Sequence, residues 1–331
     1  MKKRKIRALV LFSGGLDSLL AIKILENLGL EITALIFKSL FFDAKKAKEL
    51  AKEHRLEVIV INFSKKHLRL VKNPRWGRGK NMNPCLDCHL LMLNEAKRIM
   101  KEGKFELIAT GEVLGQRSMS QNKQALRMLE KRAGLEARIL RPLSARALEE
   151  TEYEKQGLVE RKKLLNIQGK KRNRQLELVR KYKLLKYSTP SGGCLLTDPC
   201  FSERLKKMFK HCPDCREDDV QLLKMGRIFW INNNLAIIGR HERDNKKLLN
   251  FWKTKRRKKD VRLRLCHFDG PIGFLRNLGK EKIKEQDLRK IGGLLGWYYP
   301  KIRDRKTFEI SAKAAGDKKS KRLSVTLEKP L

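Results

Sequence analysis

The stretch Ile6-Arg-Ala-Leu-Val-Leu-Phe12-Ser13-Gly-Gly-Leu-Asp-Ser18-Leu-Leu-Ala21 decides how the N-terminal half is read. Residues 6–12 are an apolar run of strand length, and residues 16–28 repeat apolar side chains at helical spacing. A glycine pair between a strand and a helix lets the backbone approach a phosphate closely. The free amides and dipole of the helix N-terminus then favour the negative charge. Ser13 and Ser18 add hydroxyls, and Asp17 can hold Mg²⁺ or orient a pyrophosphate. The Gly-Lys-Ser/Thr ending of a Walker A loop is missing, so γ-phosphate transfer of the usual P-loop kind is not expected.

Outward from this stretch the pattern alternates. Residues 31–37, 57–63, 105–110 and 138–141 read as further strands, and 43–54, 84–101 and 116–133 as helices. The expected class is α/β, with a doubly wound parallel five-stranded sheet over residues 1–150 and ligands at the carboxyl ends of the strands. Residues 151–217 read as a helical connector with the basic run Lys170-Lys-Arg-Asn-Arg174, broken at Ser188-Thr-Pro-Ser-Gly-Gly193. Residues 218–331 then show short strand-like runs at 226–231, 235–240, 261–265, 308–311 and 323–327. Helical pattern at 244–252 and 286–295, with the basic run 253–259 between, makes this a separate C-terminal α+β domain.

The chain has 331 residues, 78 Lys+Arg against 37 Asp+Glu, and a formal net charge of +41. So basic a chain attracts polyanions, and counterion release from phosphates makes nucleic acid the default partner over an anionic membrane. Solvated lysine faces of a generally basic proteome are the bland alternative. With 41% hydrophobic residues the chain holds enough apolar material for folded cores. No apolar run near the start approaches the roughly 18 residues that would span a bilayer. Met1-Lys-Lys-Arg-Lys5 imitates the basic end of a signal peptide, but Arg7 interrupts the apolar part and no small-residue cleavage pattern follows. A cytoplasmic location without membrane attachment is expected. Seven cysteines, an odd number, argue against a disulfide framework there.

Three cysteines stand in motifs. Asn83-Pro-Cys85-Leu-Asp-Cys88 puts two thiols at a helix start, where the helix terminus favours thiolate. Ser191-Gly-Gly-Cys194-Leu-Leu-Thr-Asp198 puts the third in a glycine-rich loop that can approach a ligand. Ordinary buried or zinc-binding cysteines are the alternative. His211-Cys212-Pro-Asp-Cys215 is a second pair, too far from the first for a compact zinc ribbon and divided between an inert turn, a small metal site and redox use. His89 beside the first pair reads as a surface histidine before a functional one. Trp297-Tyr-Tyr-Pro300 reads as core packing before base stacking.

Ala8-Leu-Val-Leu-Phe-Ser13-Gly-Gly-Leu-Asp-Ser18-Leu-Leu-Ala21 resembles the ATP-pyrophosphatase loop (PP-loop) of adenine nucleotide alpha hydrolase-like enzymes, which cleave between the α and β phosphates and adenylylate a substrate. Ala109-Thr-Gly111-Glu-Val-Leu-Gly-Gln116-Arg-Ser-Met-Ser120-Gln121 resembles the second nucleotide-side motif of tRNA 4-thiouridine synthases, and Leu140-Arg-Pro-Leu-Ser144 their later strand-end motif. The three occur in the family's order across most of residues 6–145. Both cysteine segments are similar to those of tRNA-thiolation enzymes, including the tRNA 2-thiouridylase group and a shorter thiolase-like family.

The resemblance implies ATP and Mg²⁺ at Ser13, Gly14, Gly15, Asp17 and Ser18, with Gly111, Gln116 and Ser120 lining the nucleotide side. Asp17, Cys85, Cys88 and Cys194 would be catalytic. The three cysteines would either hold a 4Fe-4S iron-sulfur cluster with one open iron site or work as a persulfide pair. Gly226-Arg-Ile-Phe-Trp-Ile231 with Ala236-Ile-Ile-Gly-Arg-His-Glu-Arg-Asp-Asn-Lys-Lys-Leu248 resembles the RNA-binding module of NFACT-type ribosome-associated proteins. The classical 4-thiouridine synthases carry an RNA-binding extension ahead of the loop. Here twelve residues precede Ser13, so RNA recognition is expected from the C-terminal side.

The resulting expectation is an ATP-dependent tRNA sulfurtransferase, with tRNA and a sulfur donor, sulfide or a persulfide-carrying protein, as partners. Its rivals are an amide-forming synthetase of the same fold, and an RNA-binding protein whose PP-loop domain binds nucleotide without turnover.

Overall fold

A computed structural model describes residues 5–187, 193–279 and 281–330. The basic start 1–4 and residues 188–192, part of the Ser-Thr-Pro-Ser-Gly-Gly segment, lie outside the described residues. The chain divides into two compact units, Met1–Pro199 and Cys200–Leu331.

The first unit carries β1 (Arg7–Leu11), α1 (Leu16–Asn27), β2 (Glu31–Lys38), α2 (Lys45–Glu53), β3 (Glu57–Asn62), α3 (Ser64–Lys72), α4 (Cys85–Glu102), β4 (Leu107–Thr110), α5 (Lys123–Ala133), α6 (Glu152–Lys155) and α7 (Asn173–Lys181). Its strands pair in parallel in the order β3-β2-β1-β4, with Ala8 opposite Ile32 on one side and Leu107 on the other. Successive strand side chains point to opposite faces, and here both faces are buried. Val10, Ala34, Ile36 and Ala109 pack in one core with Leu19 of α1 and Leu50 of α2. Leu9, Leu35 and Ile108 pack in the other with Leu93 and Ala96 of α4 and Leu129 of α5. That is a doubly wound sheet, and the strand order reverses at β1, so the crevice for a ligand opens at the carboxyl ends of β1 and β4.

The fifth strand expected at 138–141 is reduced to one parallel bridge between Ala109 and Leu140. The Leu140 N–H donates to the Ile108 carbonyl at 2.9 Å, and its own carbonyl accepts from Thr110 N–H at 2.9 Å. Two residues cut the strand short: Ala137 sits at φ 54°, and Pro142 has no N–H for a further rung. The helix expected from residue 116 begins at Lys123, where the Asn122 side chain caps it by accepting from Ala125 N–H at 2.8 Å. Residues 111–122 are thereby left as a loop at the mouth of the crevice. The segment from 151 onward is no bare connector in its first part, since Tyr153, Val159, Leu164, Ile167 and Leu184 join the core under α1.

The second unit carries α8 (Pro199–His211), whose first residue closes the first unit, α9 (Glu217–Leu222), β5 (Arg227–Ile231), β6 (Asn234–Ile238), α10 (Glu242–Lys255), β7 (Val261–Leu265), β8 (Gly273–Asn277), α11 (Glu285–Trp297), β9 (Thr307–Ala314) and β10 (Lys321–Thr326). Its six strands form one antiparallel sheet in the order β10-β9-β7-β8-β6-β5. Ile291, Leu294 and Leu295 of α11 pack on Leu263, Leu275, Ile310 and Leu323 of one face. Among the described residues no helix is long and apolar enough to cross a membrane.

Candidate nucleotide and thiol site

The turn after β1 is shaped by sterics. Gly14 sits at φ 74°, and a Cβ on it would stand 2.8 Å from Ala47 Cα, so only glycine lets α2 close over the loop. Gly15 is the N-cap of α1 and has no side chain to satisfy the first turn. Its own N–H donates to Ser13 Oγ at 3.3 Å, Ser18 Oγ donates to the Gly15 carbonyl at 2.9 Å, and the two serine hydroxyls are 3.3 Å apart. The α1 ladder starts with Leu19 N–H on the Gly15 carbonyl at 3.1 Å, which leaves the turn before it to meet an anion.

Asp17 follows in that turn. Its Oδ2 accepts from Gln116 Nε2 at 2.9 Å and lies 3.5 Å from Arg172 Nη2, just ahead of α7. Its Oδ1 is buried with no hydrogen-bond partner, and so is Gln116 Oε1. An orphaned carboxylate oxygen beside open helix amides suits one protein ligand of Mg²⁺ whose other ligands are phosphate oxygens and water. Gly111 packs against this turn: a Cβ there would stand 2.5 Å from Ser18 N and 2.6 Å from the Asp17 carbonyl carbon. Its part is therefore close approach of β4 to α1. Ser120 is buried in the same loop.

The thiols are gathered by backbone hydrogen bonds. Met82 N–H donates to the Leu196 carbonyl at 3.1 Å, Asn81 Nδ2 to the Thr197 carbonyl at 2.8 Å, and Leu195 N–H to the Phe41 carbonyl at 2.8 Å. The first two tie the Cys194 segment to the loop that leads into Cys85, and the third ties it to the loop after β2. Cys85 is the first residue of the 18-residue helix α4, and Asn83 Nδ2 donates to its sulfur at 3.2 Å. The Asn83 amide is oriented by Asn81 N–H, which donates to its Oδ1 at 3.3 Å. Burial pushes the Cys88 thiol up, and the charges of Cys194, Cys85 and Asp87 add to it. Burial pushes the Cys194 thiol up to about 11, with Cys85 adding and the Leu196 amide and Arg117 charge pulling the other way. Asp87 accepts from Arg75 N–H at 2.8 Å and Trp76 N–H at 3.2 Å and so fixes the preceding turn.

Among the described residues no three His, Cys, Asp or Glu side chains form a group that could hold a metal ion. Cys85, Cys88 and Cys194 sense one another's charge, and burial pushes Cys88 and Cys194 up. In the second unit Cys215 is buried and its N–H donates to the Cys212 carbonyl at 3.0 Å, a turn after α8. His211 stacks on Trp230 at 4.3 Å. Tyr298 packs against Phe229 and Tyr299 against Phe268 in the unit's own core.

A buried charge network built on Glu112 and Arg141 lies in the same unit. His89 Nδ1 meets Glu112 Oε1 at 3.1 Å, and Glu112 Oε2 accepts from Arg141 Nε at 3.0 Å and Thr110 Oγ1 at 3.0 Å. Arg141, 4% exposed, also pairs with Glu130. Burial raises the Glu112 carboxyl, but Arg141 and His89 outweigh it and hold it at about 2. Glu112 and Arg141 were visible only as letters inside two motifs. Arg172 lay hidden in a basic run that looks like a solvated face, and Arg117 had no signal apart from its place beside Gln116.

Residues 4–153 match the family model described as thiamine biosynthesis protein (ThiI). Over 143 residues the chain is 33% identical to a probable tRNA sulfurtransferase of Finegoldia magna, a stretch that covers 42% of this chain and 36% of that protein. The chain thus spans about a third of the length of this curated relative. A solved structure, described as a predicted subunit of tRNA methyltransferase from Methanocaldococcus jannaschii, is 23% identical, covers 41% of this chain and 67% of its own, and has a TM-score of 0.33. The loop at Ser13–Ser18, the Gln116 loop and the Cys85 helix all fall inside the segment that matches the ThiI family.

Proposed function

We propose that the protein is an ATP-dependent tRNA sulfurtransferase, which adenylylates a uridine carbonyl oxygen and replaces it with sulfur. The observation that carries this reading is Asp17 at the phosphate turn, held by Gln116 through one carboxylate oxygen with the other buried and unpartnered, while the Cys194 segment is tied to the loop before Cys85. The match to the ThiI family and the probable sulfurtransferase relative support it.

The open amides of α1 and the hydroxyls of Ser13 and Ser18 receive the pyrophosphate part of ATP. Asp17 would hold Mg²⁺, which would supply charge neutralisation at the phosphates. Arg172 then exchanges the Asp17 carboxylate for a phosphate oxygen. The uridine oxygen attacks the α-phosphorus, pyrophosphate leaves with the bonding electrons, and the N3 proton of the base passes to water.

Sulfur enters from a persulfide. Cys85 is the thiol suited to carry it, because it opens α4 with the Asn83 amide on its sulfur, whereas burial pushes the Cys88 and Cys194 thiols up. The terminal sulfur attacks the activated carbon and AMP leaves with the bonding electrons. Cys194 attacks the Cys85 sulfur, its proton passes to the released thio-base, and a Cys85–Cys194 disulfide remains for a thiol reductant to reopen. No step is drawn through an iron-sulfur cluster, since the donors are not so arranged. The C-terminal unit supplies RNA contacts, as its likeness to the NFACT-type module implies.

The test is mass analysis of digested tRNA after incubation with ATP, a persulfide donor and the protein, alongside AMP release. Thiouridine and AMP formed together support the reading. AMP released equally without RNA would favour an amide-forming synthetase, and RNA binding without AMP a non-catalytic PP-loop protein.

A further inference from the structure

The second face of the antiparallel sheet is covered over only part of its width. α10 lies over β8, where the Phe251 and Trp252 rings meet Phe274 at 5.6 Å and 6.3 Å. Arg276 is fully buried on the same face, 2.9 Å from Asp219 and 3.2 Å from Asp260. Beyond Trp252 the cover ends. On β7, β9 and β10 the side chains of this face are half-buried or exposed: Arg262 and Arg264, then Glu309, Ser311 and Lys313 beyond Thr307, then Arg322 and Ser324 ahead of Thr326.

The register brings these groups together. Arg262 stands opposite Lys313, Arg264 opposite Ser311, and Ser311 opposite Arg322. Opposed residues are about 5 Å apart at Cβ, and alternate residues about 7 Å apart along a strand, so the four cations share one small patch. Like charges placed so closely weaken a sheet. Burial and then the charge of Arg264 pull the Arg262 pKa down. The nearby cations Lys255 and Arg257 are paired with Asp218 and Asp219. None of Arg262, Arg264, Lys313 and Arg322 has a carboxylate within ion-pair distance among the described residues. Glu309, the one carboxylate on these three strands, lies 3.8 Å from His267 Nε2. The patch continues into the basic run 253–259, since Arg256 and Arg262 lie 5.6 Å and 5.5 Å from the same Trp252 ring.

Four cations gathered against one carboxylate, Glu309, favour an external anion, and the open half-sheet has the chemistry of a phosphate-backbone reader. Arginines and a lysine alternate with serine hydroxyls, the donor set that positions nucleic acid without reading sequence. No large apolar side chain stands among them to enter a lipid interface. A three-stranded face suits the wide, shallow minor groove of an RNA duplex and the phosphates at its rim. We infer that this open half of the sheet is the docking surface for the duplex backbone of the RNA substrate, with Arg262, Arg264, Lys313 and Arg322 each meeting a phosphate. This rests on the tRNA reading above.

The test is the affinity of the full chain for bulk tRNA over a series of KCl concentrations. It compares wild type with Arg262→Gln/Arg264→Gln/Lys313→Gln/Arg322→Gln, and with a charge-matched control, Lys52→Gln/Lys65→Gln/Lys101→Gln/Lys131→Gln. Thermal melts establish that all three are folded. The expected result is a slope of log affinity against log salt smaller by about 3 in the face variant and nearly unchanged in the control. Equal losses in both variants reduce the effect to net charge and overturn the assignment. A face variant that keeps wild-type tRNA binding but loses binding to phosphatidylserine vesicles would give the surface to a membrane instead. A wild type that binds no tRNA removes the tRNA reading itself, and the face with it.

Discussion

Gln116 Nε2 donates to Asp17 Oδ2 at 2.9 Å, and Arg172 Nη2 approaches the same oxygen to 3.5 Å. The second carboxylate oxygen is buried and unmatched, so the residue is oriented by two partners and left with one coordination position. Asp17→Asn is expected to lower the rate of AMP formation roughly 10²-fold to 10³-fold, the scale seen when one electrostatic stabiliser of a transition state is lost. Arg172→Ala should weaken ATP binding, and Arg172→Lys should restore part of it. Steady-state AMP formation at varied ATP checks both. An Arg172→Ala variant with an unchanged KM for ATP would remove the phosphate role.

Gly111→Ala tests the close approach of β4 to α1. The new methyl would sit 2.5 Å from Ser18 N, so backbone must move. A loss of about 1–3 kcal/mol in a denaturant melt is expected, with weaker ATP binding because the displaced turn is the one that meets phosphate. Unchanged stability would mean that the two backbones are not held at this distance.

Arg141 is buried between Glu112 and Glu130. Arg141→Met leaves two carboxylates without their cation and should cost about 3–5 kcal/mol. The pH dependence follows from Glu112, whose pKa falls from 4.5 to about 2 on folding. Its contribution, about 3 kcal/mol, is fully present above pH 4.5 and is lost as pH falls through 2. In Arg141→Met the acid transition should therefore move to higher pH. Melts recorded across the acid range would contradict this if the two proteins lose stability in parallel.

The thiols should differ in reactivity. Cys194, pushed up to about 11, and the buried Cys88 should react slowly with iodoacetamide near neutral pH, while Cys85 should react first. Peptide mass spectrometry after timed alkylation checks the order. Asn83→Asp places a charge beside Cys85 and should slow it. Faster modification of Cys194 than of Cys85 would reverse the roles assigned to them.

Much of the first unit was legible because its chemistry is local. Residues 6–21 encode strand, turn and helix in one apolar pattern, and Gly14 and Gly15 announce a close backbone. The fifth strand was over-read, since four apolar-flanked residues before Pro142 look the same whether they make one bridge or several. β8 (Gly273–Asn277) is not legible in the sequence, because a strand that buries Arg276 depends on Asp219 and Asp260 reaching it from outside the strand. Arg172 escaped for a similar reason: its meaning depends on α7 packing beside α1, whereas its neighbours in the run, Lys170 and Lys171, share its charge without sharing its contact with Asp17.

ATP carrying a radioactive α-phosphate separates activation from sulfur transfer when it is incubated with unmodified tRNA and the variants Cys85→Ala and Asp17→Asn. Activation before sulfur transfer predicts that Cys85→Ala places label on the tRNA and makes no thiouridine, while Asp17→Asn places none. Label absent from the tRNA with Cys85→Ala, in a preparation whose wild type thiolates tRNA, would contradict adenylylation of the base as a step separate from sulfur transfer.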